Sequence, residues 1–446
     1  MFKRDIQKEL EAWRNNPRRK PLLLRGARQV GKTTVVNVFG QSFSNYLYFN
    51  LEHTSHRALL ESPLMLDNLI SQMFLFHQQK RKEGDTLIFI DEIQNSPKTI
   101  SLLRYFYEDH PELHIIAAGS LLESIVNVDF SFPVGRIQYL PMRPCSFREF
   151  IGAIDKNHLL EMASTPAVAE VVHYELMNYF NRYLLVGGMP AAVESYVEQQ
   201  DLLAFDDIYE TLLQAYRDDA EKYVKTGKLS AVVRFILERG WGAAGSTITL
   251  GGFAGSDYRA REVGEAFRLL EKAMLLELAY PATNTEVPIM PETRRQPKLL
   301  WLDTGLVNYA ANIRSDIIGA GDIMDVWKGR IAEHVVGQEL LTLNNRISQR
   351  RQFWLKGKGG ETAEVDFVWT VDSRLIPIEV KAGRNSHLRS LHSFIDLSPT
   401  EVAVRVWSGP LSVDDVQTTI KKKPFKLINL PFYLIGSLES IVRQYL

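Results

Sequence analysis

The chain has 446 residues, 45% hydrophobic and 24% charged, a globular composition with room for several packed cores and about three domains. Lys and Arg number 52 against 53 Asp and Glu, a formal net charge of −1, which excludes a global basic coat and leaves nucleic acid only a local patch. The single cysteine, Cys145, excludes an internal disulfide and a cysteine-built zinc cage. No apolar run is long enough to span a bilayer, so a soluble, cytoplasmic protein with no membrane partner is expected.

In chain order, residues 1–20 read as a polar, basic helix, with Leu10 and Trp13 at helical spacing and Pro17 as its stop. Pro21-Leu22-Leu23-Leu24-Arg25 is a short apolar strand entering a glycine-containing turn, and a helix follows from Thr33. Further apolar runs at 46–51, 86–90 and 114–118 read as strands, with amphipathic stretches at 56–82 and 99–109 between them. Continuous apolar strands alternating with helices predict a parallel sheet covered on both faces. Residues 156–225 read as helices, interrupted by the turn Val186-Gly187-Gly188-Met189-Pro190. Helical patterns at 229–239 and 260–270 precede apolar runs at 275–280 and 298–302, the outline of a winged helix. The last block predicts a helix over 332–341, strands over 352–355, 363–369 and 375–380, a helix over 386–396 and a strand over 402–406. The expected fold class is α/β, in four parts: a P-loop core over 1–155, a helical lid or linker over 156–225, a winged-helix-like unit over 226–312 and a terminal α/β domain over 313–446.

Gly26-Ala27-Arg28-Gln29-Val30-Gly31-Lys32-Thr33 fits G-x-x-x-x-G-K-[ST], between a strand and a helix as the motif requires. Its glycines let the backbone curl round a phosphate, and the following helix adds a partial positive charge. Lys32 is expected to reach the β and γ phosphates of ATP and Thr33 to ligate Mg²⁺, with Thr34 completing the nucleotide-binding set. In Leu87-Ile88-Phe89-Ile90-Asp91-Glu92, two carboxylates emerge from a buried strand. Asp91 is expected to hold the Mg²⁺ and Glu92 to polarise the attacking water. Ser120, at the end of the fourth strand, reads either as a γ-phosphate contact or as a helix cap. Arg136 is the candidate cation for transition-state charge, with Arg143 and Arg148 behind it. A solvated surface arginine is the alternative reading for Arg136.

These motifs, with Pro144-Cys145-Ser146-Phe147-Arg148-Glu149-Phe150 and Tyr183-Leu184-Leu185-Val186-Gly187-Gly188-Met189-Pro190, resemble the prokaryotic AAA+-type ATPases that carry a C-terminal domain of unknown function. The resemblance covers nearly the whole chain. It implies an ATPase core, a helical and winged-helix middle and a restriction-endonuclease-like end. Cys145 stands where that family's pattern leads one to expect Leu or a similar apolar residue.

In the terminal block, Glu379 and Lys381 are two apart on a predicted strand and project together, with Asp366 on the neighbouring strand and Glu333 on the preceding helix. Carboxylates plus a lysine suit Mg²⁺-dependent phosphodiester cleavage, with Glu333, Asp366 and Glu379 as metal ligands and Lys381 orienting the water. The arrangement resembles the PD-(D/E)xK nuclease superfamily through Asp366, Glu379 and Lys381. An active nuclease, a non-cleaving remnant that binds, and a coincidental ion pair all remain open on the sequence alone. Arg259, Arg261, Arg268, Arg294, Arg295 and Lys298 could neutralise DNA phosphates, although Glu262, Glu265 and Glu271 allow a salt-bridged helix instead. Two function classes follow: an ATP-driven DNA-processing protein, or a nucleotide-switched adaptor whose terminal domain holds DNA or a protein. Oligomeric state is open.

Overall fold

A computed structural model of the chain describes all residues except 1, 81–83, 120–134, 164–165, 203–204, 224–226, 316–328, 358–362 and 382–387. The N-terminal helix α1 (Ile6–Asn15) buries Ile6, Leu10 and Trp13 and ends ahead of Pro17. Then come β1 (Leu22–Arg25), α2 (Lys32–Gly40), β2 (Asn45–Asn50), α3 (Thr54–Leu60), α4 (Leu66–Phe76), β3 (Thr86–Asp91), α5 (Pro97–Asp109), β4 (His114–Gly119) and β5 (Gln138–Pro141). The amphipathic stretch expected at 56–82 is two helices, because the bend around Ser62-Pro63 breaks it.

The five strands form one parallel sheet in the order β2-β3-β4-β1-β5. Alternate residues feed separate cores on its two faces: Leu87 and Phe89 pack into one, Ile88 and Ile90 into the other. Every residue of β3 and β4 is buried, as strands covered on both faces must be.

Helices fill the next stretch: α6 (Phe147–Ala153), α7 (Asn157–Ala163), α8 (Pro166–Val186), α9 (Pro190–Gln199) and α10 (Asp206–Tyr223). A capping box starts α6, with Ser146 accepting from Glu149 N–H and Glu149 accepting from Ser146 N–H. Next are α11 (Gly227–Arg239), α12 (Ala260–Lys272), β6 (Leu276–Ala279), β7 (Pro281–Ala282), β8 (Lys298–Trp301) and α13 (Thr304–Ala310). Strands β6 and β8 pair antiparallel, and Thr247 bridges to Lys298 beside them.

The C-terminal region contains α14 (Arg330–Leu340), β9 (Gln352–Leu355), β10 (Glu364–Val371), β11 (Arg374–Val380), α15 (Arg389–Leu397), β12 (Val402–Trp407), β13 (Ser412–Gln417) and β14 (Pro424–Pro431). Its mixed sheet runs β13-β14-β12-β11-β10-β9-β7. Strands β5, β13 and β14 were not anticipated from the sequence. β13 is largely exposed, with no buried residue, and among the described residues pairs with β14 alone, at the sheet edge.

The two family-like motifs meet each other. Cys145 N–H donates to Gly188 O at 2.6 Å, and Tyr183 Oη donates to Cys145 O at 2.8 Å. A Cβ at Gly188 would lie 2.3 Å from the Cys145 carbonyl oxygen, so only glycine permits this approach. Cys145 is fully buried and fills an apolar role.

Glu339 of α14 is buried in this joint. Its Oε1 accepts from Phe147 N–H at 3.1 Å and lies 2.8 Å from Tyr183 Oη, and burial pushes its carboxyl up to about 7 from 4.5. Between those values the folded chain holds the proton that the unfolded chain has released, so stability falls as pH rises through the window. Glu339→Gln keeps the acceptor and cannot ionise. Its thermal midpoint relative to wild type should therefore rise between pH 4.5 and 7, by an amount equivalent to about 3 kcal/mol at most. A midpoint difference that is flat across pH 4–8 would count against an ionisable Glu339 in the joint.

Candidate nucleotide site and C-terminal acidic cluster

Gly26 to Gly31 connect the C-terminal end of β1 to the start of α2. Gln29 and Gly31 take positive φ, 63° and 93°, which curls the backbone. A Cβ at Gly26 would sit 2.4 Å from Met142 O. Lys32 is buried and donates to Gly26 O at 2.9 Å and Ala27 O at 2.8 Å, so its amine lies inside the loop. Burial lowers its pKa to about 8, against the pull of Glu92 and Asp91. Thr33 Oγ1 donates to Asp91 Oδ2 at 2.6 Å, and Tyr48 Oη approaches the same oxygen at 3.4 Å.

Burial pushes the carboxyls of both Asp91 and Glu92 up. Glu92 has φ 52°, an uncommon conformation for a residue with a side chain, and Gln94 Nε2 donates to its Oε2. The loop, the ammonium, the hydroxyl and the two carboxylates are thus brought together, and this donor set fits a nucleotide phosphate with Mg²⁺. Thr34 is exposed on α2, and Ser120 lies outside the described residues.

The loop is tied to the helices that follow. Arg28 Nη1 pairs with Asp219 of α10 at 2.7 Å. Val30 O accepts from Arg4 Nη1 at 3.1 Å, while Arg4 Nε pairs with Glu149 at 2.9 Å and Nη2 donates to Arg143 O at 2.8 Å. Pro190 at the start of α9 packs near Gly31. Sequence reasoning missed Arg4 and Asp219, because no spacing rule links them to the loop.

Arg136 is not brought to this site. It precedes β5, whose first residue pairs with Leu22 at the opposite end of β1 from the loop. Its Nε pairs with Glu108 at 3.1 Å on the surface. Within one chain Arg136 stands at the surface, away from the loop.

In the C-terminal sheet, the register between β10 and β9 slips between Val365 and Val368. That irregularity re-aims Asp366, whose Oδ2 accepts from Val380 N–H at 2.8 Å across to β11. Glu379 and Lys381 project together as the alternation required, with Lys381 Nζ 3.2 Å from Glu379 Oε1. Glu333 leans in from α14. Burial first, and Asp366 second, push Glu379 and Glu333 up. Asp366, Glu379, Lys381 and Glu333 therefore share one site.

The unforeseen member is Lys298. It is not a wing cation facing DNA. Its side chain is 4% exposed and its ammonium lies 3.0 Å from Glu333, 2.7 Å from Glu364 and 3.8 Å from Asp366. Burial alone would lower its pKa, but Glu333, Asp366 and Glu364 hold it above the ordinary lysine value. Among the described residues no three His, Cys, Asp or Glu side chains form a metal-holding group. Lys298 stands against Glu333 Oε2 and Lys381 against Glu379 Oε1, where the expected ligand set Glu333, Asp366 and Glu379 would hold a metal, while Glu379 Oε2 is buried with no hydrogen-bond partner among the described residues. Glu364 was legible in principle, two positions before Asp366 on the same strand. Lys298 carries no such signal.

Residues 18–151 match the AAA domain family, and 177–317 and 328–431 match two domains of unknown function, DUF8612 and DUF4143. The N-terminal region, an α/β unit with a parallel sheet, resembles P-loop ATPases. No curated protein matches the chain. Solved structures that match the chain include the Walker-type ATPase PABY2304 of Pyrococcus abyssi, at 15% identity and TM-score 0.39, covering 70% of this chain and 96% of that one. The STAND protein PH0952 of Pyrococcus horikoshii, with a tetratricopeptide repeat sensor, matches at 13% and 0.29 over 77% of this chain and 45% of its own. PCH-2 of C. elegans matches at 12% and 0.26, over 42% and 57%. Likeness this weak carries no functional inference. Among the described residues no helix is long and apolar enough to cross a membrane.

Lys32→Ala should lower ATP hydrolysis by about 100-fold or more, because one buried charge facing the transferred phosphoryl is removed. Glu92→Gln should keep nucleotide binding and slow turnover by roughly 100-fold. Phosphate release and nucleotide titration check both, and wild-type turnover in Lys32→Ala would remove the loop from the mechanism.

Proposed function

We propose that the chain is a nucleotide-driven switch that acts on DNA, with ATP bound and turned over at the N-terminal loop and DNA held, not cut, by the C-terminal domain. ATP hydrolysis is supported by the AAA match and by the convergence of Lys32, Thr33, Asp91 and Glu92. Lys32 would leave the carbonyls of Gly26 and Ala27 for a phosphate, a stronger charged acceptor. Thr33 and Asp91 would hold Mg²⁺, which when bound neutralises charge on the phosphates. Glu92 would orient the attacking water. Arg136 could meet a nucleotide only on a second copy of the chain.

The switch reading rests on the loop's ties to Asp219 of α10, to Arg4 and to Pro190 of α9. A phosphate that draws the loop inward alters contacts with helices outside the ATPase sheet. DNA as the partner is supported by the helix–strands–helix–strand order carrying Asp366, Glu379 and Lys381, and by the exposed Arg261 and Arg294 of the winged-helix-like unit.

The observation that carries the non-cleaving reading is Lys298, whose ammonium stands among the carboxylates that cleavage would need for metal. Active cleavage is the second reading, and it requires Lys298 to withdraw. The test is Mg²⁺- or Mn²⁺-dependent cutting of linear, circular and branched DNA, with and without ATP, by wild type, Lys381→Ala and Lys298→Met. The expected outcome is DNA retention in gel-shift assays with no cutting by wild type. Cutting by wild type that Lys381→Ala abolishes would overturn the holding role in favour of an ATPase-coupled nuclease.

A further inference from the structure

A cavity of about 340 Å³ opens where three parts of the chain meet. The phosphate loop contributes Ala27 and Val30, the segment after β5 contributes Met142 to Pro144, and α12 contributes Arg268 and Lys272. The segment leading into β9 closes it with Arg350 and Arg351. None of Lys32, Thr33, Asp91 or Glu92 lines it, so it is separate from the catalytic group beside which it lies. Its volume is in the range of small-molecule pockets and far too small for a duplex.

The lining is strongly cationic: six Lys or Arg side chains against two Glu. The acids are largely committed already. Glu277 accepts from Arg351 Nε at 3.2 Å and from its N–H at 2.7 Å, and Glu271 Oε1 accepts from Leu278 N–H at 2.9 Å. The carboxylate that Arg143 faces, Glu277, is the one already bonded to Arg351. The Nε of Arg143 is buried and finds no hydrogen-bond partner among the described residues. Burial, with Arg351 and Arg350 facing it, lowers its pKa to about 10. A buried guanidinium held near two others, sharing its one facing carboxylate with Arg351, costs free energy that a bound anion would offset. Guanidinium forks match phosphate oxygens in pairs, and the excess of cations matches a ligand with several charges.

We propose that this cavity binds a small ligand bearing at least two phosphates, a nucleotide or an inorganic polyphosphate, at a second site beside the ATP loop. The ligand would brace the loop's Ala27 and Val30 against α12 and the C-terminal region, so that the junction of the parts reads its concentration. The proposal does not depend on ATP turnover, because it uses none of the catalytic side chains.

The test uses the full-length chain carrying Lys32→Ala, which disables the loop, and follows inorganic pyrophosphate and ADP by titration calorimetry. Pyrophosphate is expected to bind Lys32→Ala and to weaken by about tenfold or more when Arg143→Met is added, the loss of one charge-assisted contact. Arg268→Gln, at an exposed position of α12, is expected to weaken it as well and guards against a folding defect in the Arg143 variant. Competition by ADP identifies the nucleotide as the ligand, and pyrophosphate binding without ADP binding identifies the inorganic anion. Loss of all pyrophosphate binding in Lys32→Ala alone, or binding indifferent to both arginine substitutions, would overturn the second site.

Discussion

Asp303 is wholly buried at the meeting of α8, α10, α13 and α14, and its carboxylate has to be satisfied there without water. Its Oδ2 accepts from Gly188 N–H at 2.6 Å, and its Oδ1 from Leu306 N–H at 2.8 Å, capping α13. Tyr209 Oη and Gln338 Nε2 approach at 3.4 and 3.5 Å. Even so, burial holds its carboxyl up at about 6. Moving any one of these elements strands a buried polar group, which typically costs about 1–3 kcal/mol. The elements therefore move together or not at all. Gly187 and Gly305 make the geometry possible, because a Cβ on Gly305 would lie 2.6 Å from Gly187.

That joint reaches the phosphate loop in a few steps. Gly188 O accepts from Cys145 N–H, next to the capping box whose Glu149 pairs with Arg4, and Arg4 holds Val30 of the loop. Pro190, two residues beyond Gly188, packs near Gly31. This chain of satisfied polar groups connects the loop to the buried joint. A phosphate that competes for the loop's backbone has to shift contacts whose other ends are buried, so a small displacement there cannot be absorbed by solvent.

What the sequence made legible was local and periodic. The phosphate loop and Asp91-Glu92 have fixed spacings next to apolar strands, and Glu379 and Lys381 follow the two-residue alternation of a strand. The helices at 97–109 and 330–340 and the strands carrying the acids stand close to where periodicity put them. What failed to show was long-range or edge-bound. Arg4 meets Glu149 across 145 positions, and Lys298 meets Glu364 across 66, with no pattern to pair them. β13 lies at an edge and buries no residue, so it has no apolar signature. Arg136 follows the core in chain order, yet the parallel pairing of β5 with β1 puts it at the end of β1 away from the loop of its own chain.

Lys298 also changes how the C-terminal cluster should be understood electrostatically. Four carboxylates, Glu333, Glu364, Asp366 and Glu379, face two ammonium groups, Lys298 and Lys381. The excess negative charge is relieved by proton affinity, since Glu333 and Glu379 are both pushed up by burial and by Asp366. A metal would relieve the same excess, so an ammonium and a divalent ion compete for one electrostatic role. The ammonium comes from β8, which pairs with β6, so the state of the acidic site is set by where that ribbon sits. The same ribbon follows α12, the wall of the cationic cavity beside the loop. One short segment, α12 with the β6–β8 ribbon, thus contributes both to the wall of the cavity beside the loop and to the cation of the acidic site.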